Sequence, residues 1–392
     1  MNDRYDVVVI GAGPAGSVAA LGIAREGFSV LLLEKDPQVG IPVRCGEAVS
    51  ARSLEALTDV DPHWITATIR RFRLVAPSGA MVEPDIGGHG YILDRVRFDG
   101  DLARAAVDAG AVLLTDAYAY GLVTGANGFE GVLYEHEGEC RRVSARIIIG
   151  ADGVESRVGR WAGIETAATL RDMECCTQMT LSNIDTARDT CTFYFGSAIA
   201  PEGYLWVFPK GDRQANVGIG ISGTAAQKRR PISFLREFVS SHFPGAVVSR
   251  VVAGGDPCAE TLRRITAQNV VLVGDAARQV NPLSGGGITS GMQAAEMAAR
   301  AVVRALREKR PSRLSEYPRE WRRKIGAKHR TYYRMKEVVR RFPDAALDDI
   351  AERVLRLPPE KRTLWGVFKT ALVHHPSLLW EMVRTFHISL SD

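Results

Sequence analysis

The sequence predicts an α/β protein in which a Rossmann-like dinucleotide-binding domain carries an inserted, mainly antiparallel sheet domain and is followed by a helical C-terminal region. Three observations lead there. The apolar, β-branched run Tyr5 to Ile10 stops at Gly11, an Ala-rich helical stretch follows from Pro14 to Arg25, and a second strand runs from Ser29 to Leu33, a complete βαβ unit. The middle of the chain, about 173–223, has period-two patterning with turn signals, as in YLWVFP and ANVGIGI. Beyond Pro311 the composition is predominantly helical.

Between these landmarks the elements follow in order. Asp36 to Val49 is a polar, Gly- and Pro-containing loop, long enough to carry function. Short alternating stretches from Ile69 to Ile92 predict antiparallel strands, Arg97 to Ala109 a helix, and Ala111 to Leu114 a strand. A hairpin is expected around Leu122 to Val143, and the strand Ala145 to Ile149 delivers the chain to Ala151-Asp152-Gly153. The strand Val270 to Val273 ends on Gly274-Asp275, and the glycine-rich loop from Ser284 to Gly287 opens a helix to about Arg307. These elements divide the chain into a discontinuous dinucleotide-binding domain (1–70, 94–170 and 260–308), a sheet domain (71–93 and 171–259) and a helical region (309–392). VGIGISG, from Val217 to Gly223, is expected at a sheet edge rather than in a second nucleotide site.

Composition removes several classes. At 392 residues, 46% hydrophobic and 24% charged, the chain can bury a large core and is neither disordered, collagen-like nor a disulfide scaffold. The six cysteines (Cys45, Cys140, Cys175, Cys176, Cys191 and Cys258) lack CxxC spacing, which argues against zinc and against a secreted framework, and points to a reducing cytoplasm. The first strand begins within five residues, leaving no room for a signal peptide. The nearest approach to a membrane span, Leu364 to Val383, is broken by Lys369, His374, His375 and Pro376. His89, His136, His329, His374 and His375 lack metal-site spacing, so no metal is expected, and there is no GxSxG elbow. The net charge of +5 conceals a segment, Val302 to Arg341, with fifteen Lys/Arg against four Asp/Glu. That excess is either a solvated helix face or a surface for anionic lipid head groups; no nucleic-acid module accompanies it.

In VVVIGAGPAG, Gly11, Gly13 and Gly16 stand at GxGxxG spacing between a strand and a helix. Gly11 permits the tight turn, Gly13 lets the backbone approach a pyrophosphate, and Gly16 lets the helix pack on the strand, with free N–H groups at the helix start for the phosphates. Glu34 ends the second strand, where a carboxylate can accept both ribose hydroxyls. This fingerprint alone does not separate FAD from NAD.

Two later segments do. ADGVESRVGR (Ala151 to Arg160) and VVLVGDAARQVNPLSGGGITSGMQAA (Val270 to Ala295) resemble the Asp-Gly and Gly-Asp segments of flavoproteins related to the aromatic hydroxylases. The resemblance implies FAD, with Asp275 on the ribityl chain and Gly286, Gly287 and Ile288 against the pyrophosphate and the pyrimidine edge of the ring. Three further segments, PVRCGEAVS (Pro42 to Ser50), YILDRVRFD (Tyr91 to Asp99) and PEGYLWVFPKG (Pro201 to Gly211), resemble the geranylgeranyl reductases, and with the flavin motifs the likeness extends over about the first 310 residues. Carried over by position, flavin contacts fall on Ala15, Glu34, Cys45, Gly46, Ala48, Arg95, Ala119, Asp275, Gly287 and Ile288. Arg97 is the alternative to Arg95, and Arg95 could instead form a surface salt bridge. Cys45 is either a small buried side chain or a group beside the flavin acting as donor, gate or redox partner.

Tyr204, Trp206 and Phe208 alternate along a strand and so share one face. Such a row is an ordinary core feature; by the resemblance it becomes the wall of an isoprenoid site, with Cys45, Tyr204 and Trp206 as catalytic candidates. An isolated alkene has no carbonyl to polarise it, so its saturation is expected to begin with protonation to a tertiary cation, followed by hydride from reduced flavin. Cys45, Glu47 and Tyr204 are candidate proton sources. The resemblance implies FAD-dependent saturation of geranylgeranyl groups, on archaeal-type membrane glycerophospholipids, by a cytoplasmic protein at the inner face of the membrane. The electron donor is open among ferredoxin, NADPH and reduced deazaflavin. The rivals are a flavin-dependent monooxygenase or halogenase, which shares the FAD segments, and an electron-transfer flavoprotein dehydrogenase.

Overall fold

The computed structural model describes residues 3–126 and 128–374. In chain order its elements begin β1 (Arg4–Ile10), α1 (Pro14–Ala24), β2 (Val30–Leu33), β3 (Ala48–Ser50), α2 (Ala51–Glu55), β4 (Ile65–Ile69), β5 (Arg71–Val75), β6 (Met81–Val82), β7 (Gly90–Leu93), α3 (Arg95–Asp108), β8 (Val112–Leu114), β9 (Ala117–Gly125), β10 (Gly128–His136), β11 (Glu139–Gly150) and α4 (Arg157–Trp161). They continue with β12 (Glu174–Ser182), β13 (Thr190–Tyr194), β14 (Tyr204–Pro209), β15 (Gln214–Ser222), α5 (Gly223–Lys228), α6 (Pro231–His242), β16 (Val247–Asp256), β17 (Thr266–Ala267), β18 (Val270–Leu272), α7 (Ile288–Arg307), α8 (Glu316–Trp321), α9 (Ala327–Val339), α10 (Asp344–Arg356) and α11 (Leu364–His374).

Strands β1, β2, β8, β11 and β18 pair in parallel, in the order β18-β11-β1-β2-β8, and each is apolar enough to be covered on both faces. The covering helices α1 and α7 contribute Ala19, Ala20, Ile23, Ala295, Ala298 and Val302 to the same core as Val7, Val8 and Val9. Strand β11 is long because it serves two partners. Its first half pairs antiparallel with β10, and its second half runs beside β1 to Gly150.

The second sheet has the order β16-β12-β15-β14-β13-β5-β6 and is antiparallel except where β13 meets β5. Amphipathic α6 covers one face, packing Phe234, Leu235 and Phe238 onto Leu205, Val207, Val217 and Ile219. The opposite face holds Trp206 and Phe208, in register across from residues of β13 and β15.

Two sequence expectations need correction. VGIGISG is no sheet edge, because β15 is bonded to β12 on one side and β14 on the other. A boundary at residue 70 separates β4 from β7, whereas these strands pair with each other, and β7 with β3, in one small sheet between the larger two. The described part of the helical C-terminal region, residues 309–374, packs on both layers. Tyr317 and Trp321 sit in the core of the parallel-sheet layer, with Tyr317 Oη donating to the Leu272 carbonyl at 2.9 Å. Helix α10 instead packs Ile350 and Val354 against Ala76 and Val82 at the far end of the second sheet.

Candidate active site

The three motif segments meet at the C-terminal ends of the parallel strands, where open α/β sheets bind ligands. Gly11 has φ +101°, and a Cβ there would fall 2.3 Å from the Ala151 carbonyl oxygen, so the first turn rests directly on the Asp-Gly segment. A Cβ at Gly16 would fall 1.8 Å from the Gly11 oxygen, while Gly13 has nothing within 4 Å and faces open space. Ala15 reaches the third segment: its methyl lies 3.1 Å from the position a Cβ on Gly274 would take and 3.5 Å from that on Gly291. Helices α1 and α7 start at Gly13 and Gly287 without side-chain caps, so their first N–H groups are available to an anion or to ring acceptors. Asp275 Oδ1 stands 3.1 Å from the Cβ position of Gly287. Glu34 accepts from the Ala12 N–H at 2.8 Å and the Asp36 N–H at 3.0 Å, which fixes its carboxylate at the edge of the glycine turn. Ala119 is buried on β9, paired to Tyr134, and its position adds no sharper indication of role. Open space at Gly13, two uncapped helix starts and a placed carboxylate at each end together fit a flavin dinucleotide.

The loop before β3 docks onto this frame. A Cβ at Gly46 would touch the Phe208 ring at 3.0 Å and the Trp206 Nε1 at 3.5 Å, so only glycine lets the loop lie against the aromatic strand. Gln178 clamps the two together, donating to the Cys45 carbonyl at 3.0 Å and accepting from Trp206 Nε1 at 3.2 Å. Glu47, 2% exposed with φ +70°, is held by Lys210 and Asn216 on Oε2 and by the Arg95 N–H on Oε1 at 3.2 Å. The Cys45 Sγ accepts from the Glu47 N–H at 3.3 Å. Ala48 is exposed on β3, opposite Ile92.

Arg95 makes a salt bridge, as one reading of the sequence allowed, but a buried one: it is bidentate to Asp99 at 2.7 Å on both contacts. Arg97, its alternative, is exposed and bonds Asp94 and the His63 carbonyl instead. The Arg95 charge acts on both sides of the site. Burial pushes the Cys45 thiol up, and Arg95 opposes that; burial likewise pushes the Asp275 carboxyl up, and Arg95 draws it back.

Tyr204, Trp206 and Phe208 share one face of β14, in a cluster with Phe72, Phe193, Ile69 and Ile92. Trp206 and Phe208 stack at 6.1 Å, and the Tyr204 hydroxyl donates to the Ser284 carbonyl at 2.7 Å, tying the row to the glycine loop that opens α7. The glycines of β15 make room for this row. A Cβ at Gly218 would fall 2.3 Å from the Trp206 ring, and one at Gly220 would lie 3.2 Å from Cys176 Sγ.

Two acids that the sequence reading passed over stand at the same place. Asp256 ends β16 in register with Glu174 on β12, and burial raises both carboxyls, Glu174 to about 7. An acid directly before Pro257 and Cys258 at the end of an exposed strand was the available signal, but its partner lies in a different strand. Among the described residues, no group of His, Cys, Asp and Glu is arranged to hold a metal ion.

Comparison with known proteins gives concordant results. Two family models match: a geranylgeranyl reductase catalytic domain over residues 172–256 and an NAD(P)-binding Rossmann-like domain over residues 9–75. Digeranylgeranylglycerophospholipid reductase 2 of Methanococcoides burtonii is 39% identical across 98% of this chain and 97% of its own. The crystal structure of a geranylgeranyl bacteriochlorophyll reductase-like protein from Thermoplasma acidophilum superimposes with a TM-score of 0.91 at 32% identity, covering 97% of this chain and 99% of that one. A triple mutant of a flavin-dependent brominase superimposes with a TM-score of 0.72 at 16% identity over 98% and 99% of the two chains, a likeness of fold alone.

Proposed function

The chain belongs to the geranylgeranyl reductase family, and from that premise we propose that it saturates the double bonds of geranylgeranyl groups on archaeal-type membrane glycerophospholipids, with FAD as cofactor. The observation that carries this reading is the junction of the Cys45-Gly46 loop, the aromatic strand and the Ser284–Gly287 loop, held by Gln178 on one side and Tyr204 on the other.

In this reading Gly11, Gly13 and Gly16 admit the pyrophosphate, Glu34 binds the adenosine ribose, and Asp275 binds the ribityl hydroxyls. The Gly287 and Ile288 N–H groups meet the pyrimidine edge, with Ala15, Cys45, Gly46, Ala48, Arg95 and Ala119 completing the contacts. Reduced FAD, when bound, supplies the hydride. The protein supplies the surroundings in which a protonated alkene survives. The faces of Tyr204, Trp206 and Phe208 stabilise a desolvated cation by roughly 2 kcal/mol, and the apolar cluster behind them keeps out the water that would trap it. Cys45 lies on the loop that Gln178 ties to this row, as a donor, gate or redox partner beside the flavin. The reducing equivalents come from ferredoxin, NADPH or a reduced deazaflavin, and reduction of the holoprotein by each in turn identifies which.

No described helix is long and apolar enough to cross a membrane. Much of the basic excess is neutralised, since Arg304, Arg307, Arg313, Lys324 and Arg340 are ion-paired. Arg319, Arg322, Arg323 and Lys328 remain exposed, and we assign them to peripheral contact with anionic head groups. Cosedimentation with anionic but not neutral vesicles tests this contact.

The deciding experiment is anaerobic incubation of the reduced holoprotein with a geranylgeranyl-bearing glycerophospholipid. Lipid mass rising in steps of two hydrogens, with flavin reoxidation, is the expected result. No mass gain, but rapid reoxidation on adding oxygen and an aromatic compound, would move the assignment to a monooxygenase.

A further inference from the structure

The aromatic row and its glycine loop leave one acid unaccounted for. Asp256 Oδ2 lies 2.8 Å from the position a Cβ on Gly285 would take, and the Tyr204 hydroxyl oxygen lies 3.6 Å from the same point. The carboxyl is therefore at the lip of the loop that opens α7, beside the first aromatic of the row. Its other oxygen, Oδ1, is shut off from solvent without a hydrogen-bond partner among the described residues.

The groups that face it come from every neighbouring element: Glu174 and Cys176 on β12, Tyr204 on β14, Cys258 just after β16, Asp275 after β18, and Lys336 on α9. Lys336, the cation among them, is committed elsewhere, donating to the Cys258 carbonyl and lying 3.7 Å from Asp172. An ionised carboxylate in such a place is costly, because burial and two neighbouring acids oppose the charge and no paired cation offsets it. Burial, with Asp275 and Glu174 adding to it, accordingly holds this carboxyl well above the usual range. A neutral carboxyl has one O–H to give.

The other candidate proton sources are differently engaged. Both Lys210 and Asn216 bond Glu47 Oε2, and Tyr204 directs its proton to Ser284. Burial pushes the Cys45 thiol up, further from giving its proton. We propose that Asp256 is the acid that protonates the alkene, and that Glu174, opposite it in the sheet, relays the replacement proton; this role rests on the reductase reading above.

In the step, the Asp256 O–H bond breaks and the alkene π pair forms a new C–H bond, leaving a carboxylate and a tertiary carbocation. Reduced FAD, when bound, would supply the hydride that neutralises the cation. One proton from solvent, through Glu174, restores the acid.

The test compares wild-type holoprotein with Asp256→Asn and Asp256→Glu. Two quantities are read: the single-turnover rate of lipid saturation under anaerobic conditions, and the infrared carbonyl band of a protonated carboxyl at neutral pH before substrate is added. Flavin content shows that each variant has folded. The proposal expects a difference band for one protonated carboxyl when the Asp256→Asn spectrum is subtracted from that of wild type, with saturation slowed by about a hundredfold or more and part of the rate regained in Asp256→Glu. An Asp256→Asn protein that saturates lipid at the wild-type rate, or whose band is as strong as that of wild type, overturns this role while leaving the reductase reading intact. A wild-type protein that leaves the lipid unchanged overturns the reductase reading, and this role with it, whatever the infrared band shows.

Discussion

The indole of Trp206 occupies the space that a side chain at Gly218 would need: a Cβ there would lie 2.3 Å from the ring's Cζ2 and 2.9 Å from its Nε1. Because β15 is hydrogen-bonded on both sides, its backbone cannot retreat, and Gly218→Ala must displace the indole. The displacement breaks the Trp206 bond to Gln178 and loosens the Cys45 loop clamped by the same side chain. Overpacking of this kind costs roughly 1–3 kcal/mol. We expect a modest fall in the urea midpoint, retained flavin, and a disproportionately large loss of lipid saturation. Equal, small losses in both would show that Trp206 is only a core residue.

Glu47 and Lys210 form an ion pair whose acidic partner is nearly inaccessible. Removing one member of such a pair leaves an uncompensated charge, a loss of about 3–5 kcal/mol. Lys210→Met should therefore destabilise the protein strongly, and adding Glu47→Gln should recover most of the loss. Urea unfolding of the two single variants and the double variant measures the coupling. No recovery in the double variant would mean that Lys210 stabilises through its contact with Leu93 or through packing rather than through charge.

Legibility in the sequence followed chain proximity. The βαβ unit, the three flavin segments and the shared face of Tyr204, Trp206 and Phe208 are each written in consecutive residues, and periodicity recovers them. What joins them is not. Gln178 sits 133 residues from Cys45, and Lys210 sits 163 from Glu47, so neither bridge leaves a local trace. The placement of Asp256 opposite Glu174 depends on the register of two strands with three more between them in the chain. Misplacing β15 at an edge has a similar cause: glycine in a strand usually marks weakness, and here it is the space a distant indole fills.

Glu34 serves the glycine turn as well as the cofactor. Its carboxylate accepts the Ala12 N–H, so Glu34→Ala removes a ribose acceptor and a support of the turn together. Hydrogen bonds to a charged group contribute about 1.5–3 kcal/mol, which predicts a loss of FAD affinity of roughly tenfold to a hundredfold. Fluorescence of flavin released on dilution measures it. Unchanged release would remove Glu34 from the cofactor site.

Glu174 should leave a signature in the pH dependence of stability. Burial pushes its carboxyl from the ordinary 4.5 up to about 7, against the opposing pull of Lys336 and Arg340 and with Glu202 and Asp172 adding to the rise. The folded protein thus keeps a proton through a window in which the unfolded chain has released it. Unfolding then releases a proton, and the unfolding free energy must fall as pH rises from about 4.5 to about 7, then level off. The fall attributable to Glu174 is about 3 kcal/mol. Other carboxyls, such as Asp6 and Asp189, whose values are lowered by Arg146 and Arg71, act in the opposite sense at lower pH, so the informative quantity is a difference between proteins. Urea unfolding of wild type and Glu174→Gln at about pH 5 and about pH 8 should show wild type losing more stability than the variant between the two conditions. Parallel behaviour would mean that Glu174 is ionised in the folded protein, and its part in returning a proton to Asp256 would fail with it.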